Sequence, residues 1–143
     1  LTYHLGCDYF HDKDGRLCYG PRKYIDKLIG QFENMFGCKP KEYTSPLEKG
    51  DHPEIDATDK LDEEGIKRYQ TMIGCLQWAV SLGCFDIQTA TMTMSRFRTA
   101  PRIGHLERLK WIYSYLKKFT SASITYLIKN LIGVTWCMGK YKS

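Results

Sequence analysis

The stretch that decides the fold is Tyr69-Gln70-Thr71-Met72-Ile73-Gly74-Cys75-Leu76-Gln77-Trp78. Apolar residues in and around it recur at helical spacing and predict one stripe for a core to bury: Ile66, Tyr69, Ile73, Leu76 and Val80. Gln70, Gly74 and Trp78 stand four residues apart, so on a helix they stack along a second face, about 120° from the stripe. This face combines an amide, a gap and a flat ring, so another backbone, including that of a nucleic acid, can lie close against it. The alternative is ordinary packing, in which Gly74 admits a neighbouring helix and Trp78 belongs to the core.

The segment before this helix predicts a β-hairpin and a first helix. Residues 3–11 alternate loosely between apolar and polar, residues 12–15 have turn chemistry, and residues 16–19 resume as a strand. After Pro21, apolar residues recur every three or four positions up to Phe36, and Gly37 is a helix stop signal.

The remaining elements follow from caps and periodicity. Residues 39–61 contain several prolines and no period, which is typical of an irregular surface connection. Asp62 is placed to cap the central helix, and Asp86 is expected to cap the next one. The predicted elements after the connection are helices over residues 62–82, 87–98 and 102–118 and a strand over residues 124–128.

Together these elements predict an α+β fold that is mainly α. We divide the chain into an N-terminal β-hairpin (residues 1–20), a helical region (residues 21–118) and a C-terminal region (residues 119–143) with a short strand and an unassigned tail.

Composition sets broad limits on function. The chain has 143 residues, of which 43% are hydrophobic and 26% charged, so it is globular rather than disordered. Lysine and arginine exceed the acidic residues by 21 to 16, which mildly favours an anionic partner. Six cysteines without Cys-x-x-Cys spacing disfavour a zinc ribbon, so no metal site is predicted, and no apolar run is long enough to span a membrane.

An ordered series of short motifs is similar to a known family. The series is Tyr3-His4-Leu5-Gly6-Cys7-Asp8-Tyr9, Lys23-Tyr24-Ile25-Asp26-Lys27-Leu28, Thr44-Ser45-Pro46-Leu47, Tyr69 with Ile73-Gly74, Leu76 and Trp78, then Phe85-Asp86-Ile87, Ser95-Arg96-Phe97, Pro101, His105 and Tyr115-Leu116-Lys117-Lys118. In order and spacing it resembles the reverse transcriptase of copia-type retrotransposon polyproteins, over residues 1 to about 128.

The resemblance implies a position within that enzyme. Leu5 and Gly6 match the start of the primer grip, a hairpin that holds the primer end, and residues 21–118 match the thumb and the connection towards RNase H. In related retroviral enzymes, a thumb helix with the spacing of Gln70, Gly74 and Trp78 rests in the minor groove of the primer–template duplex. The resemblance therefore implies nucleic-acid binding by these residues and a thumb-like helical bundle.

The same resemblance implies that no catalytic residue lies in this chain. The family holds its Mg²⁺ ions with carboxylates that include an Asp-Asp pair, and this sequence contains no such pair. Residues 129–143, where RNase H would begin, contain no acidic residue. We expect the parent protein to be a Mg²⁺-dependent RNA-directed DNA polymerase, and this chain alone to be inactive and to bind no cofactor.

Cations of the last helix are further candidates for binding nucleic acid. Arg102, Arg108 and Lys110 are predicted to contact phosphates, the alternative being a solvated helix end.

Cys84-Phe85 stands where the family usually has Arg-Pro. Trp111 replaces a frequently basic residue opposite the apolar stripe, so we expect it to be exposed to solvent or covered by a partner.

The expected partners are the primer–template duplex and the rest of the polyprotein, namely its fingers, palm and RNase H, with no membrane. The expected location is the cytoplasm, within virus-like particles, with the nucleus as a second location. The chain begins at Leu1, which suggests a piece of a longer protein. Two alternatives stay open: a domesticated, non-catalytic module that binds nucleic acid or protein, and a decayed copy without function.

Overall fold

A computed structural model describes residues 3–119, 123–126 and 134–137 of the chain. The strands are β1 (Tyr3–His4), β2 (Cys7–His11), β3 (Leu17–Gly20), β4 (Ser123–Tyr126) and β5 (Val134–Cys137). The α-helices are α1 (Arg22–Phe36), α2 (Glu63–Ser81), α3 (Gln88–Ser95) and α4 (Ile103–Lys118), with short 3₁₀ turns at Pro53–Ile55 and Phe85–Ile87. The predicted α+β class, mainly α, with an N-terminal strand pair and a short C-terminal strand, is confirmed.

One antiparallel sheet holds the strands in the order β1-β2-β3-β4-β5. Asp12 stabilises the β2–β3 turn, because its Oδ1 accepts the N–H groups of Asp14 at 2.9 Å and Arg16 at 2.8 Å. The predicted hairpin is therefore present. Its pairing with the C-terminal region was not predicted: Tyr19 of β3 lies opposite Ile124 of β4. The predicted strand begins one residue earlier than expected, and its last two positions lie outside the described residues.

Helix ends follow the predicted caps in two of three cases. Gly37 ends α1 with a φ of 66°, and the Asp62 side chain accepts the N–H of Gly65 at 2.8 Å to begin α2. The predicted cap at Asp86 is wrong, because a 3₁₀ turn precedes α3 and the N-cap is Ile87 without a side-chain bond. The Asp86 carboxylate instead accepts the hydroxyl of Tyr115 on α4 at 2.6 Å.

The helices bury one apolar core. Its largest fully buried side chains include Ile25, Leu28, Tyr69, Met72, Ile73, Leu76, Met94, Leu109, Ile112 and Leu116. Within the predicted α2 stripe, Tyr69, Ile73 and Leu76 are buried, whereas Ile66 and Val80 are half-buried. The Tyr69 hydroxyl donates to the carbonyl of Met94 at 2.6 Å, which ties α2 to α3. This orientation of α2 leaves its second face outside the core.

The connection between α1 and α2 is irregular, as predicted, but it is fastened to α4. Tyr43 stacks on Trp111 with ring centroids 3.8 Å apart and planes 3° from parallel. The Trp111 Nε1–H donates to the carbonyl of Ser45 at 2.8 Å. The expectation of an exposed or partner-covered Trp111 is therefore wrong, because the chain's own connection covers the indole.

Candidate nucleic-acid interface

The second face of α2 is open to solvent. Gln70, Gly74 and Trp78 are all exposed, and Trp78 exposes 48% of its surface. A Cβ atom built on Gly74 would meet no heavy atom within 4 Å. Gly74 therefore admits no neighbouring helix from the described part of the chain, and the packing alternative fails for this glycine. The three residues span about 12 Å along the helix axis.

One end of this face is joined to the segment that follows α3. The Gln70 side-chain Nε2 donates to the backbone carbonyl of Arg98 at 3.1 Å. This bond holds the amide in place while the residue stays exposed, and it brings residue 98 next to Gln70. Nothing in the local sequence predicted this contact, because the two residues are 28 positions apart.

The other end meets the turn between β1 and β2. His4 and Cys7 pair across the turn, so Leu5 and Gly6 form its tip. Both have positive φ, 49° for Leu5 and 91° for Gly6, as a tight hairpin of the I′ kind requires. Glycine adopts this conformation freely, but leucine does so only at a cost of about 1–2 kcal/mol. The turn therefore holds a strained Leu5 whose surface is 67% exposed.

The turn packs directly on the C-terminal end of α2. A Cβ on Gly6 would lie 3.0 Å from Leu82 Cδ1 and 3.9 Å from the indole nitrogen of Trp78. The Cys7 thiol donates to the carbonyl of Leu82 at 3.6 Å. Leu5, Gly6, Gln70, Gly74 and Trp78 thus form one continuous surface, which we call the open surface. The structure brings together predicted residues that are far apart in the chain.

The predicted cations of α4 lie elsewhere and already have partners. Arg108 donates to both carboxylate oxygens of Asp51, at 2.5 and 2.8 Å, and to Asp56 at 2.6 Å. Arg102 donates to the carbonyl of Thr58 at 2.5 Å. Lys110 pairs with Glu107 at 2.7 Å, and its Nζ lies 4.6 Å from the centre of the Phe36 ring. Their suggested role as phosphate contacts gains no support from these positions.

Arg108 anchors a cluster that we call the clasp: Asp51, Asp56, Thr58, Gly104 and Arg108. Burial raises the pKa of Asp56, but hydrogen bonds from Thr58 and Arg108 outweigh it and lower this pKa to about 2. The hydrogen bond from Arg108 also lowers the pKa of Asp51.

Gly104 allows the clasp to close. A Cβ there would lie 1.9 Å from Asp56 Oδ2, so any side chain would collide with the carboxylate. The Gly104 N–H donates to the Thr58 hydroxyl at 2.9 Å, which fastens the irregular connection to the first turn of α4. The clasp is therefore structural, and its charges are satisfied internally.

Within residues 3–119, 123–126 and 134–137, no three His, Cys, Asp or Glu side chains are placed to share a metal ion. No helix of that described part is both long and apolar enough to cross a bilayer. Comparisons of the chain with protein-family models, curated proteins and solved structures gave no match. The function of the chain is therefore inferred from its residues and their geometry.

Proposed function

We propose that this chain is the duplex-holding part of a copia-type reverse transcriptase, comprising primer grip, thumb and connection. The observation that carries the proposal is the open surface, where the Leu5–Gly6 turn lies against Trp78 of α2. The resemblance assigned the turn and the α2 face to the same ligand, the primer–template duplex. Their close packing in the fold supports that common assignment.

The chemistry of the open surface suits the minor groove of a duplex. Gln70 and Gly74 offer an uncharged face, and beside them Thr71 and Gln77 are also exposed. An uncharged face with an amide can approach sugars and base edges, whereas the phosphates that flank the groove would repel a row of carboxylates. The gap at Gly74 allows close approach of a sugar–phosphate backbone, and the Trp78 ring adds a flat apolar contact.

Catalysis would belong to the rest of the parent protein. Asp51 and Asp56 are both bound to Arg108, so they do not form a free carboxylate pair for Mg²⁺. The residues described here can hold and orient a duplex. Bond formation at the primer end would need carboxylates from the fingers and palm.

The test is a pair of matched glycine variants. Gly74→Ala should raise the melting temperature, because alanine is favoured over glycine by about 1 kcal/mol in an exposed helix. It should weaken binding of a fluorescent RNA–DNA primer–template, because the methyl stands where the duplex must approach. Gly30→Ala is the control: this α1 glycine also has no atom near its Cβ position, so stability should rise without loss of affinity.

Two outcomes would overturn the proposal. One is the absence of duplex binding by the unmodified chain at low salt, as expected for a protein-interaction module or a decayed copy. The other is equal affinity of the Gly74→Ala and Gly30→Ala variants, which would mean that the duplex does not bind at the α2 face.

A further inference from the structure

Duplex binding draws most of its affinity from contacts between cations and phosphates, and the open surface itself is uncharged. Arg102, Arg108 and Lys110 are held by carboxylates and carbonyls, as described above. Other cations that border the open surface are therefore the candidates for phosphate contacts.

Two cations border it at the Gln70 end. The bond from the Gln70 amide to the backbone carbonyl of Arg98 brings this residue there, and the bond does not use the guanidinium. Lys67 lies one helical turn before Gln70 on α2, about 60° around the helix axis. Both residues are exposed.

Both cations are also available. In the part of the chain that the structure describes, neither Arg98 nor Lys67 has a carboxylate within ion-pair distance. Their neighbours differ: Arg68 is paired with Glu64, and Arg96 is near enough to Glu54 to act on its carboxylate. Glu63 and Glu64, in the first turn of α2, are exposed acidic residues about one turn before Lys67, and Glu64 is paired with Arg68.

We propose that Arg98 and Lys67 bind backbone phosphates of the duplex beside Gln70. This inference rests on the proposed function, because it names the phosphate contacts of the same surface. With this assignment the two ends of the open surface differ in chemistry: phosphates are bound near Gln70, and the contact at Leu5 and Trp78 is apolar. The guanidinium of Arg98 can bind two phosphate oxygens at once, whereas Lys67 acts as a point charge.

The salt dependence of binding tests the assignment. For each variant, affinity for an RNA–DNA primer–template is measured over a range of NaCl concentrations, and log K is plotted against log salt concentration. Each lost phosphate contact should make the slope shallower by about 0.9. Arg98→Ala and Lys67→Ala should each show this change and weaker binding, and the double variant should show about twice the change.

Matched controls separate charge loss from damage to the fold. Arg98→Ala keeps the backbone carbonyl that holds Gln70, so the melting temperature should not change. Arg98→Lys should keep the slope. Arg68→Ala removes the same charge from α2 at a position already paired with Glu64, and its slope should match that of the unmodified chain.

The possible failures are distinguishable. If the unmodified chain binds the duplex but Arg98→Ala and Lys67→Ala leave the slope unchanged, this inference is wrong and the proposed function stands. An equal loss of slope for Arg68→Ala would mean diffuse attraction, and would also overturn it. If the unmodified chain binds no duplex at low salt, the proposed function itself fails.

Discussion

The open surface and the clasp both contain polar groups that draw attention in the sequence, yet their physical states are opposite. On the open surface, Gln70 and Trp78 face solvent beside a glycine with free space around it. In the clasp, Arg108 is held by two carboxylates, with its side chain only 21% exposed. The difference teaches that a charge in a motif says little about binding until its intramolecular partners are known.

The largest expected effect comes from breaking the clasp. Arg108→Ala would leave Asp56 without its cation while 7% of that side chain is exposed. Losing one partner of a buried pair costs about 3–5 kcal/mol, so we expect a loss near the lower end because Arg108 itself is partly exposed. Urea denaturation measures the change. Arg98→Ala, the matched loss of an arginine beside the open surface, should change the free energy of unfolding by no more than about 0.5 kcal/mol. Equal losses of unfolding free energy for the two variants would contradict the difference between the clasp and the open surface.

The second largest expected effect is the weakening of the clasp by acid. Although burial raises the pKa of Asp56, hydrogen bonds from Thr58 and Arg108 lower this pKa to about 2 in the folded protein, from an ordinary value of 3.8, so the folded state favours the ionised form. Its contribution is therefore fully present above about pH 4 and is lost as pH falls towards 2, by on the order of 2 kcal/mol. Unfolding free energy measured across this window should fall less steeply for Asp56→Asn than for the unmodified chain. Parallel curves for the two proteins would contradict this account.

The smallest expected effect concerns strain on the open surface. Leu5→Asn should raise stability by about 1 kcal/mol, because asparagine tolerates the positive φ of this turn better than leucine. Leu5→Ala is the control, since its Cβ meets the same backbone penalty and its stability should change little. Thermal melts of the two variants decide the point. Similar melting temperatures for both would mean that backbone strain at Leu5 is negligible.

Local chemistry explains which features the sequence could predict. Asp62 begins α2 and Gly37 ends α1, each through a hydrogen bond to a residue three or four positions away. Helical periodicity separated the second α2 face from the buried stripe, but it left open whether Gly74 and Trp78 face solvent or pack in the core. These features need no knowledge of distant residues.

The features that were missed depend on distant partners. Asp86 could cap a helix or accept the Tyr115 hydroxyl, and only the packed fold selects the second. Arg108 meets Asp51 and Asp56 across 57 and 52 positions of chain. The same holds for Arg98, which had no local signal to separate it from other exposed arginines.

The pairing of β3 with β4 has a consequence for how the chain reaches its fold. Tyr19 meets Ile124 only when the whole helical region between them has been brought back on itself. Such a closure of about 100 residues carries an entropy cost that local helix contacts avoid. The contacts among the helices form without this cost, so we expect the helices to assemble first and this strand pair to close last, after the rate-limiting step. A weakened β4 would then mainly speed unfolding, because its contacts form after the rate-limiting step.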